Sequence, residues 1–140
     1  MTLVEVVAAR LREAFPSRAV YQWAVPTRSA NGGVEPASSC YIVSANVGGE
    51  ESSTMADARD VRSPVLWVRA TSLQPSPDMA ARLVGRWAAD ARDALRGFRP
   101  AIGRASWRLE HLISAQPFPE SGLPDSSWSA TEQWLAQYQL

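Results

Sequence analysis

Residues 76–97, SPDMAARLVGRWAADARDALRG, are the clearest element of the sequence, and their spacing predicts a long amphipathic helix. Ser76 is a suitable N-cap, Pro77 suits the first helical turn, and Gly97 suits the C-terminal cap, so we expect a helix over residues 77–96. Apolar side chains recur at helical spacing and form a wide face that must pack against another element. These side chains are Met79, Ala80, Leu83, Val84, Trp87, Ala88, Ala91, Ala94 and Leu95.

A second helix is predicted at the N-terminus, over residues 3–15. Thr2 and Glu5 have the spacing of a capping box, which would satisfy the first free backbone amides. Pro16 would end the helix. One apolar stripe runs along it and consists of Leu3, Val7, Leu11, Ala14 and Phe15.

Alternating apolar and polar side chains predict strands in the rest of the chain. We expect them over residues 19–25, 39–47, 65–72, 106–115 and 128–140. The last of these segments also has a helical interpretation, but the alternating pattern has fewer exceptions, Glu132 and Leu135, and we favour the strand. The element order is then α-β-β-β-α-β-β. Strands that follow strands directly predict an α+β fold: a mainly antiparallel sheet of about five strands with both helices on one face.

Composition indicates one globular domain over residues 1–140, with 46% hydrophobic and 20% charged residues. The 14 basic residues, all Arg, balance 14 acidic ones, so the basic surplus of a DNA-binding protein is missing. The single cysteine, Cys40, can form no intrachain disulfide. Neither a signal peptide nor an apolar run long enough for a membrane span is visible. We expect a protein kept in the cytoplasm or in a particle assembled there.

Residues 48–63 form the most polar stretch and show no convincing period. We predict a long flexible excursion between two strands, and loops of this length are usually functional or disordered. We expect it to order against a partner, with Arg59 and Arg62 as anchors because Arg pairs with carboxylates in a bidentate way. The candidate interface residues are Glu50, Glu51, Asp57, Arg59, Asp60 and Arg62.

No residues stand out as a catalytic, cofactor-binding or metal-binding set. His111 is the only histidine, and its place in an apolar strand predicts a structural role. Asp57 and Asp60 lie in the flexible excursion, where a general acid or base would be poorly held. The glycine pairs lack the helix and the Lys-Ser/Thr sequence of a phosphate-binding loop. The sequence therefore predicts a protein that is not an enzyme and takes no cofactor.

The order and lengths of these elements resemble the tail terminator proteins (also called tail-completion or minor tail proteins) of long-tailed bacteriophages, especially those with actinobacterial hosts. The resemblance covers nearly the whole chain and is one of elements and spacings. It rests on the Phe15-Pro16 helix end, the strands 20–26 (VYQWAVP) and 41–43 (YIV), the segment 67–70 (WVRA), the long helix, a penultimate strand, a proline-rich turn and the last strand with 128–131 (WSAT).

The resemblance implies a virion protein that assembles into a ring, expected to be a hexamer. Such a ring caps the head-proximal end of the tail tube, ends tube polymerisation and joins the tail to the head connector. Its partners would be copies of itself, the tail tube protein and the connector protein, while DNA passes through without specific binding. Two alternatives stay open: another neck or tail component, such as a connector or tube protein, and a small ligand-binding or enzymatic α+β domain.

Overall fold

The computed structural model describes residues 1–25, 38–46, 61–120 and 127–140. Within these ranges the chain forms two helices and nine strands. The helices are α1 (Leu3–Ala14) and α2 (Pro77–Leu95). The strands are β1 (Ala19–Gln22), β2 (Ser39–Ala45), β3 (Val61–Arg62), β4 (Val65–Leu73), β5 (Ala105–Ser106), β6 (Glu110–Ser114), β7 (Phe118–Pro119), β8 (Ser127–Leu135) and β9 (Tyr138–Gln139).

The main sheet has the order β1-β2-β4-β8-β6, and β7 also pairs with β8. Its centre is the antiparallel pair β4 and β8, in which nine residues of each strand are in register. The ladder between β6 and β8 contains a register shift between His111 and Ile113, which marks a β-bulge or irregularity. The β6 edge of the sheet is therefore less regular than its centre.

A smaller sheet of order β3-β9-β5 forms beside the main one in the described part of the chain. Gly103, just before β5, has a φ of +66°. A Cβ atom at this position would collide with the backbone carbonyl of Gln139, and the neighbouring Arg104 amide donates a hydrogen bond to the same carbonyl, at 2.6 Å. Only glycine combines this conformation with so close an approach.

Both helices pack on one face of the main sheet. The buried face of α1, which includes Leu3, Val7 and Leu11, lies against β1 and β2, and α2 lies against β4 and β8. The two helices also touch each other, and the Arg10 Nε atom donates a hydrogen bond to the Ala94 carbonyl, at 3.3 Å. Opposite them, the inward side chains of the sheet complete the core: Tyr41, Val43, Ala45, Leu66, Val68, Ala70, Ala130 and Trp134.

The predicted helix caps are confirmed. Thr2 and Glu5 form a complete capping box at the start of α1. Ser76 caps α2 by accepting a hydrogen bond from the Met79 amide, at 3.3 Å. At the other end of α2, Gly97 follows the cap residue with a φ of +74°, a conformation that favours glycine.

The α+β class is confirmed, but the predicted number of strands and the predicted order of elements were wrong. The main sheet has six strands in the described residues instead of about five, and the order of elements differs. The sheet is mainly antiparallel, as predicted, and among its described strands only β1 and β2 run parallel to each other. The two strands are joined by residues 23–38, a connection much longer than the two residues of a tight hairpin. A connection of this length allows the second strand to run parallel to the first.

The predicted strand over residues 106–115 is divided between the two sheets. Leu109 turns into the core, and its amide donates to the Phe98 carbonyl instead of continuing a ladder. The last strand, favoured over a helix, is confirmed as β8. It leaves the main sheet after Leu135, where the Ala136 amide donates to the Pro64 carbonyl and directs β9 into the small sheet.

The predicted excursion over residues 48–63 lies largely outside the described residues, including Glu50, Glu51, Asp57, Arg59 and Asp60. The prediction was wrong at the end of this segment, because Val61 and Arg62 form the strand β3, which pairs with β9. The partner residues Tyr138 and Gln139 are about 75 positions away in the sequence, so no local pattern could indicate this pairing.

We predict that Trp134→Ala lowers the free energy of unfolding by about 3–5 kcal/mol, because it leaves a large cavity under α2. Trp134 is buried and contacts His111 edge to face, with ring centroids 4.8 Å apart. Denaturant unfolding of both proteins measures the difference. Trp107→Ala is the matched control: this side chain is 46% exposed, so its loss should cost only about 0.5 kcal/mol. Equal costs for the two tryptophans would contradict the packing of β8.

Candidate functional site

A buried carboxylate lies on the helix-covered face of the main sheet. Glu132 faces the core from β8, opposite Val68 of β4, and its side chain is only 3% exposed. It is surrounded by polar groups of β6 and α2, which together form the Glu132 cluster: Glu132, His111, Ser114 and Arg92. A charge so far from water is tolerated only when it is paired and hydrogen-bonded.

The short contacts of this cluster converge on one oxygen of Glu132. Oε2 lies 2.6 Å from His111 Nε2 and accepts a hydrogen bond from the Ser114 hydroxyl, at 2.5 Å. Oε1 lies 3.8 Å from Arg92 Nη1, the distance of a loose ion pair. The same Arg92 nitrogen donates to Ser114 Oγ, at 3.1 Å. β6, β8 and α2 are thus joined through one network.

Ser114, His111 and Glu132 are the residue types of a hydrolase triad, but their geometry differs from one. In a triad the acid holds one ring nitrogen of the histidine while the other nitrogen faces the serine. Here the same atom, His111 Nε2, lies 2.6 Å from Glu132 and 3.1 Å from Ser114. Because the Ser114 hydroxyl donates directly to Glu132, the arrangement is a polar network and has no relay geometry.

A cleft of about 160 Å³ opens beside the Glu132 cluster. It lies between α2 and the segment that follows β6. Its walls are mainly small or apolar residues, and its polar end includes Arg92, Ser114 and Glu132. The cluster can therefore meet a bound group as well as hold the fold together.

A second carboxylate, Glu120, organises the opposite face of the sheet. It accepts hydrogen bonds from Ser129 and from Thr71, the latter at 2.6 Å, and lies 3.0 Å from Arg69 Nη2. Arg69 also donates to Ser129, at 3.1 Å. The Glu120 cluster (Glu120, Ser129, Thr71 and Arg69) therefore ties the end of β7 to β4 and β8 across the face that lacks helices.

The pKa of Glu120 is lowered from its ordinary value. Burial alone would raise the pKa, because it disfavours the charged form. The hydrogen bonds from Ser129 and Thr71, together with the positive charge and hydrogen bond of Arg69, outweigh burial. The folded protein thus favours the ionised carboxylate.

Cys40 lies on the same face of β2, opposite Thr71, and is fully buried. Burial, aided by the negative charge of Glu120 and opposed by Arg69, raises the pKa of its thiol to about 11. Such a thiol is a poor nucleophile at neutral pH, because the thiolate is the reactive form.

Arg18 holds the end of α1 against α2. Its guanidinium lies 4.5 Å from the ring centroids of both Phe15 and Trp87, which is cation–π geometry on both rings. It also donates hydrogen bonds to the Tyr41 hydroxyl and to Asp90, each at 2.8 Å. Every contact of this group serves the packing of the helices on the sheet, so we assign it a structural role.

Apolar side chains are exposed at both edges of the main sheet. At one edge, all five residues of β6 are exposed, including Leu112 at 42% and Ile113 at 57%. At the other edge, Trp23 directly follows β1 and is 52% exposed. Trp23 has a φ of +69°, which is strained for any residue other than glycine.

Most of the residues that the sequence suggested for a functional site are not the ones that the structure brings together. His111 has the structural contacts expected of it, but its carboxylate partner Glu132 was not anticipated. Arg62 lies in β3, and the other candidate interface residues lie outside the described ranges. The sequence did contain one indication of the Glu132 cluster: Glu132 is charged, whereas the alternating pattern of the last strand requires an apolar residue at its position.

No protein-family model matches the chain, and no curated protein matches its sequence. Within residues 1–25, 38–46, 61–120 and 127–140, no helix is long and apolar enough to cross a membrane. The same residues contain no group of three or more His, Cys, Asp or Glu side chains arranged to hold a metal ion.

We predict that Glu120→Gln lowers the free energy of unfolding at pH 7 by about 1.5–3 kcal/mol, the range for hydrogen bonds to a charged group. The folded-state pKa of Glu120 is lowered from 4.5, so its stabilisation is fully present above that pH. It is lost as the pH falls through the lower folded-state pKa. The difference between wild type and variant should therefore shrink between pH 5 and pH 3, at about the acidities where carboxylates titrate. Urea unfolding at several pH values measures this. The exposed Glu13→Gln serves as control, and a difference that grows with acidity would contradict the assignment.

We predict that Cys40 of the folded protein resists a thiol-specific disulfide reagent at pH 8. Its thiol is buried and has a pKa of about 11, whereas an unfolded cysteine titrates near 9. In denaturant the reaction should be complete within minutes, and absorbance of the released thiolate follows it. Rapid reaction without denaturant would show that β2 is not packed as described.

Proposed function

We propose that this chain is a ring-forming structural protein of a bacteriophage tail, of the tail terminator type. The observation that carries the proposal is the different character of the two edges of the main sheet. A closed ring requires each subunit to present two different surfaces, one to each neighbour. The edges formed by β1 and by β6 supply such a pair.

Among the described strands, none pairs with the outer side of β6. An edge strand presents backbone N–H and C=O groups that another chain can use. β6 adds Leu112 and Ile113, both exposed and adjacent along the strand. Soluble proteins commonly protect such an edge with charge or covering elements, so exposure here favours a contact with another polypeptide.

The β1 edge is partly capped by the chain itself. Arg12 of α1 donates a hydrogen bond to the Val20 carbonyl, at 2.8 Å, which occupies a backbone acceptor of β1. Trp23 projects from the same edge in its strained conformation. Strain in a folded protein often marks a functional position, and Trp is a preferred anchor of interfaces.

The two edges face opposite directions, because β2, β4 and β8 lie between them. With strands spaced at about 4.8 Å, they are separated by roughly 19 Å. Trp23 of one copy can therefore pack on Leu112 and Ile113 of the next without using the same surface twice. Repetition of this contact by rotation gives a closed ring, which we propose is a hexamer.

In the proposed role the ring caps the head-proximal end of the tail tube, stops its polymerisation and joins it to the head connector. The tail tube and connector proteins are the proposed partners. The net charge of zero suits a channel that DNA crosses without being held. The assembled virion is the proposed location.

The test replaces one residue on each edge. Trp23→Gly removes the anchor and allows the left-handed backbone, so the subunit should be at least as stable as wild type. Ile113→Arg places a charge on the β6 edge. We expect each variant to be monomeric, whereas wild type forms rings in native mass spectrometry and electron microscopy. Met79→Ser, which alters an exposed residue at the start of α2, is the control and should still form rings.

Mixing the two variants tests the direction of the contact. The Trp23→Gly copy keeps an intact β6 edge, and the Ile113→Arg copy keeps an intact Trp23 edge. A head-to-tail interface therefore predicts a 1:1 dimer that cannot close into a ring. Wild-type protein that stays monomeric at every concentration would contradict ring formation. Endless tubes in place of single rings would identify a tube protein instead of a terminator.

A further inference from the structure

The cleft beside the Glu132 cluster adjoins the end of β6, but its lining does not include Trp23, Leu112 or Ile113 of the proposed ring contact. Successive turns of α2 line the cleft, and the residues they contribute are Gly85, Ala88 and Arg92. Pro117 lies across the cleft from Gly85, and Ala130 of β8 also contributes to its walls. The walls are mostly small or apolar apart from Gln116, and Arg92, Ser114 and Glu132 form a polar end.

Gly85 is an unexpected residue for this position. It lies in the middle of α2, and glycine is the least favourable helix-interior residue after proline. The backbone does not require it: a Cβ added at Gly85 would meet Pro117 Cγ at 3.5 Å, an ordinary contact. Alanine would therefore suit the helix better and still be accommodated. What glycine preserves is the open volume of the cleft.

The polar end offers a charged donor beside a charged acceptor. Arg92 Nη1 and Glu132 Oε1 are 3.8 Å apart, too far for a hydrogen bond between them. The two short hydrogen bonds of Glu132 among the described residues are made by Oε2. Oε1 and the guanidinium can therefore each engage a further group.

We infer that the cleft binds a primary carboxamide on a short apolar stem. The amide N–H donates to Glu132 Oε1, and the amide oxygen accepts from the Arg92 guanidinium. The stem lies between Gly85 and Pro117. Arg92 and Glu132 carry opposite charges, so a neutral group with a donor and an acceptor can pair with both. A carboxylate can pair only with Arg92 and an ammonium group only with Glu132, and each is repelled by the other side chain.

The experiment uses butyramide as the probe, with butyrate and butylammonium as charged probes of the same length. Amide resonances of the full chain are followed by two-dimensional ¹⁵N NMR during titration. We expect saturable shifts at Gly85, Ala88 and Ala115 with butyramide, and a dissociation constant on the order of 10 mM, as suits six non-hydrogen atoms. The two charged probes should bind at least about tenfold more weakly.

Two substitutions on α2 locate the binding. Gly85→Leu places a side chain in the cleft and should abolish the saturable shifts, while helix propensity keeps the protein folded. Arg86→Leu puts the same side chain on the exposed face of the helix and should leave binding unchanged. Gly85→Ala should weaken binding by a smaller factor, which preserves the test if Gly85→Leu does not fold.

The source of the carboxamide is distinguished by a second pair of probes. If a tripeptide with a central glutamine binds more tightly than butyramide, and its glutamate analogue does not bind, the occupant is a side chain of a polypeptide. Equal binding of tripeptide and butyramide indicates a free small molecule. Both outcomes support the carboxamide. The inference is overturned if butyramide produces no saturable shift, if a charged probe binds equally well, or if Gly85→Leu still binds.

Discussion

The antiparallel pairing of β4 with β8 holds the centre of the main sheet and orients the elements around it. Nine residues of each strand lie in unbroken register, from Val65 with Leu135 to Leu73 with Ser127. Because side chains alternate across a strand, this register fixes which residues meet α2 and which face away. A slip of one residue would turn Trp134 and Ala130 out of the core and bring Gln133 and Thr131 in. The positions of both helices and of the outer strands follow from it.

The same register places a polar centre on each side of β8. Glu132 faces the helices and binds His111 and Ser114 of β6, whereas Ser129 faces the other way and binds Glu120. Both centres join segments that are far apart in sequence, and both use a carboxylate that is mostly hidden from water. Buried polar networks of this kind stabilise a fold only when their partners are in place. They therefore favour one strand arrangement over others of similar hydrophobic content.

The sequence predicts the local features of this fold well and the long-range ones poorly. Thr2 with Glu5 and Ser76 with Pro77 act within one helical turn, so their spacing is enough to assign both helix starts. The last strand is also predicted, since its alternation is local. The parallel pairing of β1 with β2 and the pairing of β3 with β9 depend on tertiary contacts across long separations. The Glu132 cluster also depends on contacts between residues that are distant in the sequence. Glu132 breaks the alternating pattern of its strand, but only the fold shows that Arg92, His111 and Ser114 surround it.

The shift of register in β6 has a consequence for how the protein can associate. A regular, flat edge strand can recruit one identical strand after another and grow into a fibre. In β6 the ladder changes register between His111 and Ile113, which bends the strand and strengthens its local twist. A bent edge can accept one well-matched neighbour, yet it is a poor template for an extended stack. The irregularity thus disfavours repeated strand addition at the exposed β6 edge, the kind of growth that builds amyloid-like fibres.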